Sequence, residues 1–266
     1  MPITDTQDPI LIVDIGNTNI VCAVFFKGEI QARYRFPSTV HSKVDEYYSL
    51  FGQMVPEYSL SCFKYIAYGS VVPELSGTFQ ALFSQYSRAK VYCIDGLSPI
   101  GLRYIIKDPS AIGADLVANA FGAWQKYNTS TLVADLGTAT TIQLINSEGL
   151  YAGAVIAPGM KTAAEHLFKN AAQLNEFELS TPKQIVGNNT QDALLAGIVW
   201  GHALMISGFM QQIEKKYPQY APYTVILTGG LAPMIGKLCP SDYILDSDLT
   251  LQGFYLALHK LISISE

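Results

Sequence analysis

Two short stretches of this chain follow the same pattern, one in each half. An apolar run ends in an acid, a glycine and small polar residues at Asp14-Ile-Gly-Asn-Thr-Asn-Ile20, and again at Asp135-Leu-Gly-Thr-Ala-Thr-Thr141. Each apolar run is typical of a buried strand, and the glycine permits a tight turn after it. Backbone N–H groups in such a turn can bind phosphate oxygens, and the acid can hold a divalent metal. The repeat therefore predicts two similar domains that clamp a nucleoside triphosphate.

Length and composition agree with two domains and a small ligand. The chain has 266 residues, of which 49% are hydrophobic, enough for two cores of ordinary size. The formal net charge is -5 and no cluster of lysine or arginine is present, which argues against a nucleic-acid partner. We expect no membrane partner either, because no apolar stretch reaches the length of a membrane span.

The cysteines and the first residues of the chain predict a cytoplasmic protein. Four cysteines lie far apart without a Cys-x-x-Cys spacing, so we expect reduced thiols rather than disulfides or a zinc site. Residues 1–9 lack the basic and apolar regions of a signal peptide.

The sequence does not contain a Walker A motif. The stretch from Gly230 to Leu238 has one residue too many for a Walker A loop and no hydroxyl after its lysine.

The hydrophobic periodicity predicts a similar order of elements in both halves. Three strands joined by short turns open each half, over 10–36 and 131–156. A helix over 110–127 with Ser110 as its N-cap follows the first set of elements. A second long helix, over 190–215, carries three glycines that suggest close approach by another element. We place the domain boundary so that the domains cover 1–127 and 128–266.

Six short motifs occur in order along most of the chain. They are the two repeated turns, Gly113-Ala-Asp115, Ala157-Pro-Gly159, Gly187-Asn-Asn-Thr190 and Thr228-Gly-Gly230. Each motif alone is weak, but six in order are specific. In their order and spacing the chain resembles the type III pantothenate kinases, and the resemblance spans Ile10 to Gly253.

This resemblance implies a fold, a reaction and a set of ligands. The implied fold is α/β, with two ribonuclease-H-like (actin-like ATPase) domains and a nucleotide cleft between them. The implied reaction is the ATP-dependent phosphorylation of pantothenate to 4'-phosphopantothenate, the first step of coenzyme A biosynthesis. The resemblance further implies Mg2+, a monovalent cation (K+ or NH4+) and a homodimer.

The resemblance also implies roles for particular residues. Asp115 resembles the catalytic base, Asp14 the residue that holds Mg2+ through water, and Asp135 the ligand of the monovalent cation. Gly113 and Ala114 would let pantothenate approach closely, and Thr190 resembles a substrate contact supplied by the partner subunit. Thr228 and the two glycines after it would border the adenine. The residues implied to bind ATP and its phosphates are Asp14, Ile15, Gly16, Asn17, Thr18, Asn19, Ile20, Val21, Gly137 and Thr138.

The chain departs from the family pattern at the acceptor. Leu116 stands where the family usually has an arginine suited to the pantothenate carboxylate, and Ile106 stands where it has a tyrosine. Gln143 replaces an aspartate that often follows the second turn. Either Arg103 or Lys107 supplies the missing positive charge, or the acceptor has changed or been lost. Two alternatives therefore stay open: a non-catalytic relative that binds nucleotide or a pantetheine compound and acts in regulation, and a phosphohydrolase.

Overall fold

The chain folds into two compact units, each described below by itself. A computed structural model describes residues 8–40, 42–170 and 177–265. The first unit comprises Met1–Gly101, Lys107–Gly122 and Thr250–Glu266, and the second comprises Leu102–Ile106 and Ala123–Leu249. The last helix thus clusters with the first unit, so the units differ from a simple division after residue 127. The domain limits 1–127 and 128–266 remain a prediction.

The first unit contains a five-stranded sheet in the order β3-β2-β1-β4-β5. The β1–β2 and β2–β3 pairs are antiparallel, which confirms the predicted three-stranded meander, and the β1–β4 and β4–β5 pairs are parallel. The central strand β1 is buried on both faces, whereas β3 alternates between exposed and half-buried positions as an edge strand does. The strands are β1 Ile10–Ile15, β2 Asn19–Phe26, β3 Glu29–Pro37, β4 Tyr65–Ser70 and β5 Lys90–Cys93.

Helices cover the first sheet and bury its apolar side chains. One face of the sheet forms a core with α1 and α2, in which Phe79 and Phe83 of α2 pack against Tyr47 and Tyr68. The proline at the first position of α2 suits a helix start, because the N–H that proline lacks has no intrahelical partner there. The helices of this unit are α1 Val44–Met54, α2 Pro73–Tyr86, the first part of α3 Ala114–Tyr127, and α8 Leu249–Ser265.

The second unit repeats this sheet and adds one strand. Its order is β11-β10-β7-β8-β9-β6, and the first five strands have the same pairing directions as β5-β4-β1-β2-β3. The additional strand β6 pairs parallel with β9. Neither β6 nor β11 was predicted from the sequence, and both are only two residues long. The strands are β6 Arg103–Tyr104, β7 Ser130–Leu136, β8 Ala139–Ile145, β9 Leu150–Pro158, β10 Tyr223–Thr228 and β11 Ile244–Leu245.

A separate core lies on one face of the second sheet. Leu132, Ala134 and Ile142 of the sheet pack with Val199 and Ile206 of the long helical segment. Two separate cores and two sheets of the same topology confirm the predicted α/β fold with two related domains. The helices of this unit are the end of α3, α4 Met160–Asn170, α5 Thr190–Leu195, α6 Gly201–Lys216 and α7 Ala232–Ile235, with a π-helical turn at Ala196–Trp200.

The helix predicted to begin at Ser110 begins four residues later. A short 3-10 turn, Pro109–Ala111, precedes it, and Asp108 caps this turn by accepting a hydrogen bond from the backbone N–H of Ser110. The helix α3 then starts at Ala114. The prediction of Ser110 as N-cap was therefore wrong. Asp108 caps the 3-10 turn, and Ser110 lies within that turn rather than at the start of α3.

The long helical segment Thr190–Lys216 corrects two further expectations. It is long and apolar enough, by length and composition alone, to cross a membrane, and 39% of its most apolar window is buried. The expectation that no stretch reaches that length was wrong, although a core helix of a soluble protein passes the same test. A Cβ atom added to Gly197, Gly201 or Gly208 would meet nothing within 4 Å among the described residues. The predicted close approach to these glycines is therefore absent from the described parts of the chain.

Candidate active site

The turn between β1 and β2 has the geometry expected of a phosphate-binding turn. Its paired residues are Ile15 and Ile20, and the Gly16 N–H donates to the Asn19 carbonyl at 3.0 Å. Asn17 and Thr18 are exposed at the tip of the turn. Ser38, directly after β3, fixes the turn from the other side: its N–H donates to the Thr18 carbonyl at 3.0 Å, and its hydroxyl donates to the Gly16 carbonyl at 2.5 Å.

Only Gly69 of β4 separates Asp14 from the start of α3. Asp14 on β1 is directly paired with Gly69 on β4. A Cβ atom on Gly69 would lie 2.7 Å from the Cβ of Ala114 and 2.4 Å from the Phe254 ring, so only glycine fits between them. The first unit therefore brings Asp14 of the turn and Asp115 of α3 into one region.

Asp115 occupies a partly buried position at the first turn of α3. Its Oδ1 accepts a hydrogen bond from the Leu116 N–H at 2.8 Å. Burial raises the pKa of the Asp115 carboxyl above its usual range, and that hydrogen bond opposes the effect. A carboxylate with a raised pKa is a stronger base, so the environment of Asp115 suits proton transfer.

Gly113 makes room for this carboxylate. A Cβ atom on Gly113 would lie 2.6 Å from the Asp115 Oδ1 and 3.1 Å from the Val71 Cγ1. The Val71 N–H in turn donates to the Ile15 carbonyl at 3.0 Å, which ties this region to the end of β1. The residue is a glycine because any side chain would collide with the acid.

The turn between β7 and β8 is shorter than the first turn and is held by an equivalent hydrogen bond. Its paired residues are Leu136 and Thr140, so it is one residue shorter than the first turn. The Gly159 N–H donates to the Thr138 carbonyl at 3.0 Å, as Ser38 does to Thr18 in the first unit. The Thr162 hydroxyl donates to the same carbonyl at 2.9 Å, which leaves the exposed Thr138 side chain at the tip of the turn.

Two glycines press against this second turn. A Cβ atom on Gly159 would lie 2.3 Å from the Thr138 carbonyl oxygen, and one on Gly229 would lie 2.4 Å from the Asp135 Oδ1. Gly229 also has a φ of +90°, which disfavours any other residue. The Asp135 carboxylate therefore lies over the end of β10, beside the Thr228-Gly-Gly230 motif.

Thr190 is exposed at the first position of α5, and Asn189 is the N-cap. The Asn189 Oδ1 accepts from the Asp192 N–H at 2.9 Å. The loop before it folds back on the helix, because a Cβ atom on Gly187 would lie 2.1 Å from the Ala193 nitrogen. An N-cap role is thus ruled out for Thr190, whose hydroxyl stays at the surface.

The loop that carries Arg103 and Lys107 distinguishes between these two cations. The Arg103 guanidinium donates to the Glu148 carboxylate at 2.9 Å and to the Glu148 carbonyl at 3.3 Å. Lys107 is exposed and belongs to the same unit as Asp115. Of the two candidate replacements for the missing arginine, Arg103 is therefore already bound to an acid.

The described residues contain no group of three or more His, Cys, Asp or Glu side chains that could hold a metal. A cation here would therefore be held by one carboxylate together with neutral oxygens, water or substrate phosphates, which is how proteins commonly bind Mg2+. Asp14 is suited to such a role because it lies half-buried at a strand end. Burial and the charge of Asp14 both raise the pKa of the Cys22 thiol, so this neighbour stays neutral.

Comparison with known proteins decides the family. The sequence pattern of the type III pantothenate kinases matches residues 10–212. A type III pantothenate kinase from Thermomicrobium roseum is 35% identical over 254 residues, covering 95% of this chain and 97% of the relative. One from Bacillus cytotoxicus is 35% identical over 249 residues, covering 93% and 94%.

This chain belongs to the type III pantothenate kinase family. It is a kinase that transfers phosphate from ATP to pantothenate in coenzyme A biosynthesis, which confirms the activity expected from the six motifs.

Solved structures agree on the fold of this pantothenate kinase. A protein of the Baf family from Campylobacter jejuni has a TM-score of 0.62 at 19% identity and covers 95% of this chain and 99% of its own. The activator of 2-hydroxyisocaproyl-CoA dehydratase from Clostridium difficile, solved with bound ADPNP, has a TM-score of 0.57 at 13% identity and covers 97% of each chain. At these identities the likeness concerns the fold alone.

Several residues that shape the candidate site were missed from the sequence. Ser38 fixes the first turn, Gly69 separates Asp14 from Ala114, and Val71 contacts the region of Gly113. For Gly69 a signal existed, because a glycine followed by a small polar residue ends the buried run of β4, and Gly16-Asn17 follows the acid in the first turn. Ser38 carried no comparable signal, since its role depends on the register of β2 and β3.

Proposed function

We propose that Asp115 is the catalytic base of this pantothenate kinase. Its carboxylate would accept the proton of the pantothenate hydroxyl as that oxygen attacks the γ-phosphorus of ATP. The observation that supports this role most directly is the partly buried carboxylate at the start of α3, beside the strand end that carries Asp14. Burial makes the carboxylate more basic, and Gly113 leaves space beside it.

The turn after β1 is the proposed binding site for the phosphates of ATP. Its backbone from Asp14 to Val21 would face the phosphate oxygens, with the exposed Asn17 and Thr18 as side-chain donors. Asp14 would hold Mg2+ through water, where the ion would neutralise charge on the phosphates. Phosphoryl transfer depends mainly on such positioning and charge neutralisation.

The turn after β7 is proposed to hold the second set of contacts. Thr138 would donate its hydroxyl to a phosphate, and Gly137 would let the backbone approach the ligand. Asp135 would bind the monovalent cation, K+ or NH4+, whose charge would balance that of the phosphates. The Asp135 carboxylate fits a singly charged ion because its strand neighbours are neutral residues, Thr141 and Thr228.

Lys107 is proposed to bind the pantothenate carboxylate in place of the family arginine. Arg103 is bound to Glu148, which leaves Lys107 as the other cation of the segment 95–113. A lysine ammonium pairs with a carboxylate as a point charge, without the two-pronged geometry of arginine. The variant Lys107→Ala should therefore raise the KM for pantothenate and leave the KM for ATP unchanged. Equal changes in both constants would argue against this role.

A homodimer is proposed to form through the glycine-lined face of the long helix. Gly197, Gly201 and Gly208 follow one another at nearly helical spacing, and Leu204 between them is 56% exposed. Small residues let a second helix approach closely, and an exposed leucine gains from being covered. The exposed Thr190 would reach the partner's substrate from the start of the same helical segment.

The dimer can be tested with a matched pair of glycine variants. Gly201→Gln places a long side chain on the proposed interface, whereas Gly77→Gln places the same side chain on α2, where a Cβ atom also meets nothing within 4 Å. Sedimentation velocity should show a monomer for the first variant and a dimer for the second and for the wild type. A monomeric wild type at micromolar concentration would remove the dimer and the shared role of Thr190.

The two cations can be tested by titration of the purified enzyme. Formation of phosphopantothenate should require Mg2+ and should increase with K+ or NH4+ at constant ionic strength. Asp14→Asn should raise the Mg2+ concentration needed for activity, and Asp135→Asn should raise the K+ concentration needed. Full activity with no monovalent cation present would contradict the proposed role of Asp135.

The exposed and free Cys62 and Cys93 further support a reducing compartment, so we propose the cytoplasm as the location.

A further inference from the structure

One face of the second sheet carries polar side chains in its buried interior. The other face holds the apolar core with α6, and residues that alternate along a strand point to opposite faces. Asp135 of β7 is directly paired with Thr141 of β8 and with Thr228 of β10, so these three side chains share the polar face. Gln143, two residues beyond Thr141 on the same strand, lies on that face as well.

Three of these side chains have polar atoms without a protein partner. Among the described residues, the hydroxyls of Thr141 and Thr228 and both amide atoms of Gln143 are buried and accept or donate no hydrogen bond. Gln143 and Thr228 are 0% exposed, and Thr141 is 9% exposed. Buried polar groups are nearly always paired with protein, water or an ion, so three neighbouring exceptions indicate a bound species.

The three side chains surround the acid that belongs to the proposed cation site. Directly paired residues on neighbouring strands place their side chains about 5 Å apart, which puts Thr141 and Thr228 on either side of Asp135. The Asp135 Oδ1 lies over Gly229, directly after Thr228. The four residues therefore offer a carboxylate, two hydroxyl oxygens and an amide oxygen on three adjacent strands.

We propose that Thr141, Gln143 and Thr228 complete a binding pocket for a monovalent cation next to Asp135. This inference rests on the proposed role of Asp135 and assigns the remaining protein ligands. The hydroxyl and amide oxygens would take the place of water around the ion, and the Gln143 amide N–H groups would donate to a water that stays bound to it.

The charge of the pocket suits a monovalent ion. It contains one carboxylate, which a monovalent cation neutralises, and the glutamine contributes an oxygen without a second negative charge. Gln143 thus contributes a neutral ligand from a buried position two residues beyond the strand partner of Asp135.

The test measures cation binding in the absence of nucleotide. Thermal unfolding of the enzyme is compared in KCl and in choline chloride at equal ionic strength, because a ligand that binds only the folded state raises the unfolding temperature. The wild type should be stabilised by KCl in a saturable way. Gln143→Met should lose this response, and Thr228→Val should need at least about tenfold more K+.

Thr131 supplies a matched control. It lies on the same face of β7, is 0% exposed and has an unpartnered hydroxyl, but it is two alternate positions away from Asp135. Thr131→Val should keep the wild-type response to KCl. An equal rise in unfolding temperature with KCl in the wild type and Gln143→Met would contradict the proposed pocket. An equal loss of that rise in Thr131→Val and Thr228→Val would also contradict it, because the loss would then reflect a general effect on folding.

A crystallographic measurement keeps the test independent of variant folding. Crystals of the wild-type enzyme soaked in thallium acetate should show an anomalous peak among Asp135, Thr141, Gln143 and Thr228. Ordered water there, with no thallium, would contradict the proposal. Phosphorylation of pantothenate is assayed on the same preparation, so a failure of the kinase reaction with intact thallium binding would count against the proposed function and not against the pocket.

Discussion

The two acid-tipped turns share a framework and differ in how much room surrounds them. In both units the third strand ends in a proline, Pro37 or Pro158, and the next residue donates its N–H to the threonine carbonyl of the turn. In the first unit that next residue is Ser38, whose hydroxyl also donates to the turn. In the second unit it is Gly159, and no side chain fits there.

The cause of this difference is one residue of turn length. The first turn leaves four residues between its last paired positions, and the second leaves three. The shorter turn brings the carbonyls of Gly137 and Thr138 to within 2.4 Å and 2.3 Å of a Cβ atom built on Gly159. The same sheet topology therefore supports a roomy turn beside the proposed base and a compact turn beside a buried polar pocket.

The largest expected effect is a loss of kcat on replacing Asp115 of the first unit, which Asp135 of the second unit should not share. Asp115→Asn should lower kcat by at least about 100-fold, because it removes a general base. Asp135→Asn should instead raise the K+ requirement, and added salt should restore much of the activity. Both are measured with a coupled assay of ADP formation. Comparable losses of kcat that salt does not restore in either variant would erase the proposed division of roles.

Stability provides a control for Asp115→Asn. Because burial raises the pKa of this carboxyl in the folded state, its ionisation opposes folding, and stability falls as pH rises from the unfolded value through the folded one. The asparagine variant has no such charge, so it should be at least as stable as the wild type at neutral pH. A variant that is inactive because it unfolds would fail this control.

A reciprocal exchange at the residue after the proline tests the difference in room. Gly159→Ser should destabilise the protein by about 1–3 kcal/mol, as overpacking against a fixed backbone does. Ser38→Gly should cost about 0.5–1.5 kcal/mol, the loss of one hydrogen bond. Urea denaturation of both variants measures these changes in the free energy of unfolding. A tolerated Gly159→Ser would show that the second turn has more room than the distances indicate.

The pH profile should report the raised pKa of Asp115. A general base acts in its ionised form, so kcat/KM should fall about tenfold per pH unit below that pKa. The acidic limb should lie above the range of an exposed aspartate because burial disfavours the charge. An acidic limb at the usual aspartate pKa would contradict a buried base. Asp108→Asn, which alters an exposed acid before α3, is the matched control and should leave the limb in place.

The smallest expected effect concerns a buried histidine in the second unit. The His202 Nε2 lies 2.7 Å from the Thr140 hydroxyl, and burial lowers the pKa of the imidazole. Stability should therefore be full above the unfolded pKa of about 6.5 and should fall as pH drops below it. His202→Gln, which can keep the hydrogen bond, should weaken that slope in thermal unfolding scans. His259→Gln, at a histidine of the first unit whose pKa is also lowered by burial, should weaken it independently.

Much of the fold followed from local patterns in the sequence. The meander of β1 to β3 was predictable because apolar runs alternate with short turns such as Lys27-Gly28, where both residues have positive φ. The start of α3 was not, because Asp108 caps a separate 3-10 turn that contains Ser110, and α3 begins only after it, at Ala114. The strands β6 and β11 have two residues each, which is too short for any periodicity.

The candidate site divides in the same way. Asp14, Asp115 and Asp135 were predicted because acids next to glycine form recognisable motifs. The neighbours that shape them were missed, since Gly69 and Thr228 lie beside these acids only through the pairing of distant strands. Arg103 was a plausible acceptor residue until the pairing of β6 with β9 placed it against Glu148.

The most direct test of the central claim is a single-turnover experiment with the purified kinase. With γ-32P-labelled ATP, Mg2+, K+ and pantothenate, the wild type should transfer label to pantothenate in equal measure with ADP formation, and Asp115→Asn should bind ATP without transfer. Label released as free phosphate, or ATP bound by the wild type with no transfer at saturating pantothenate, would contradict the account.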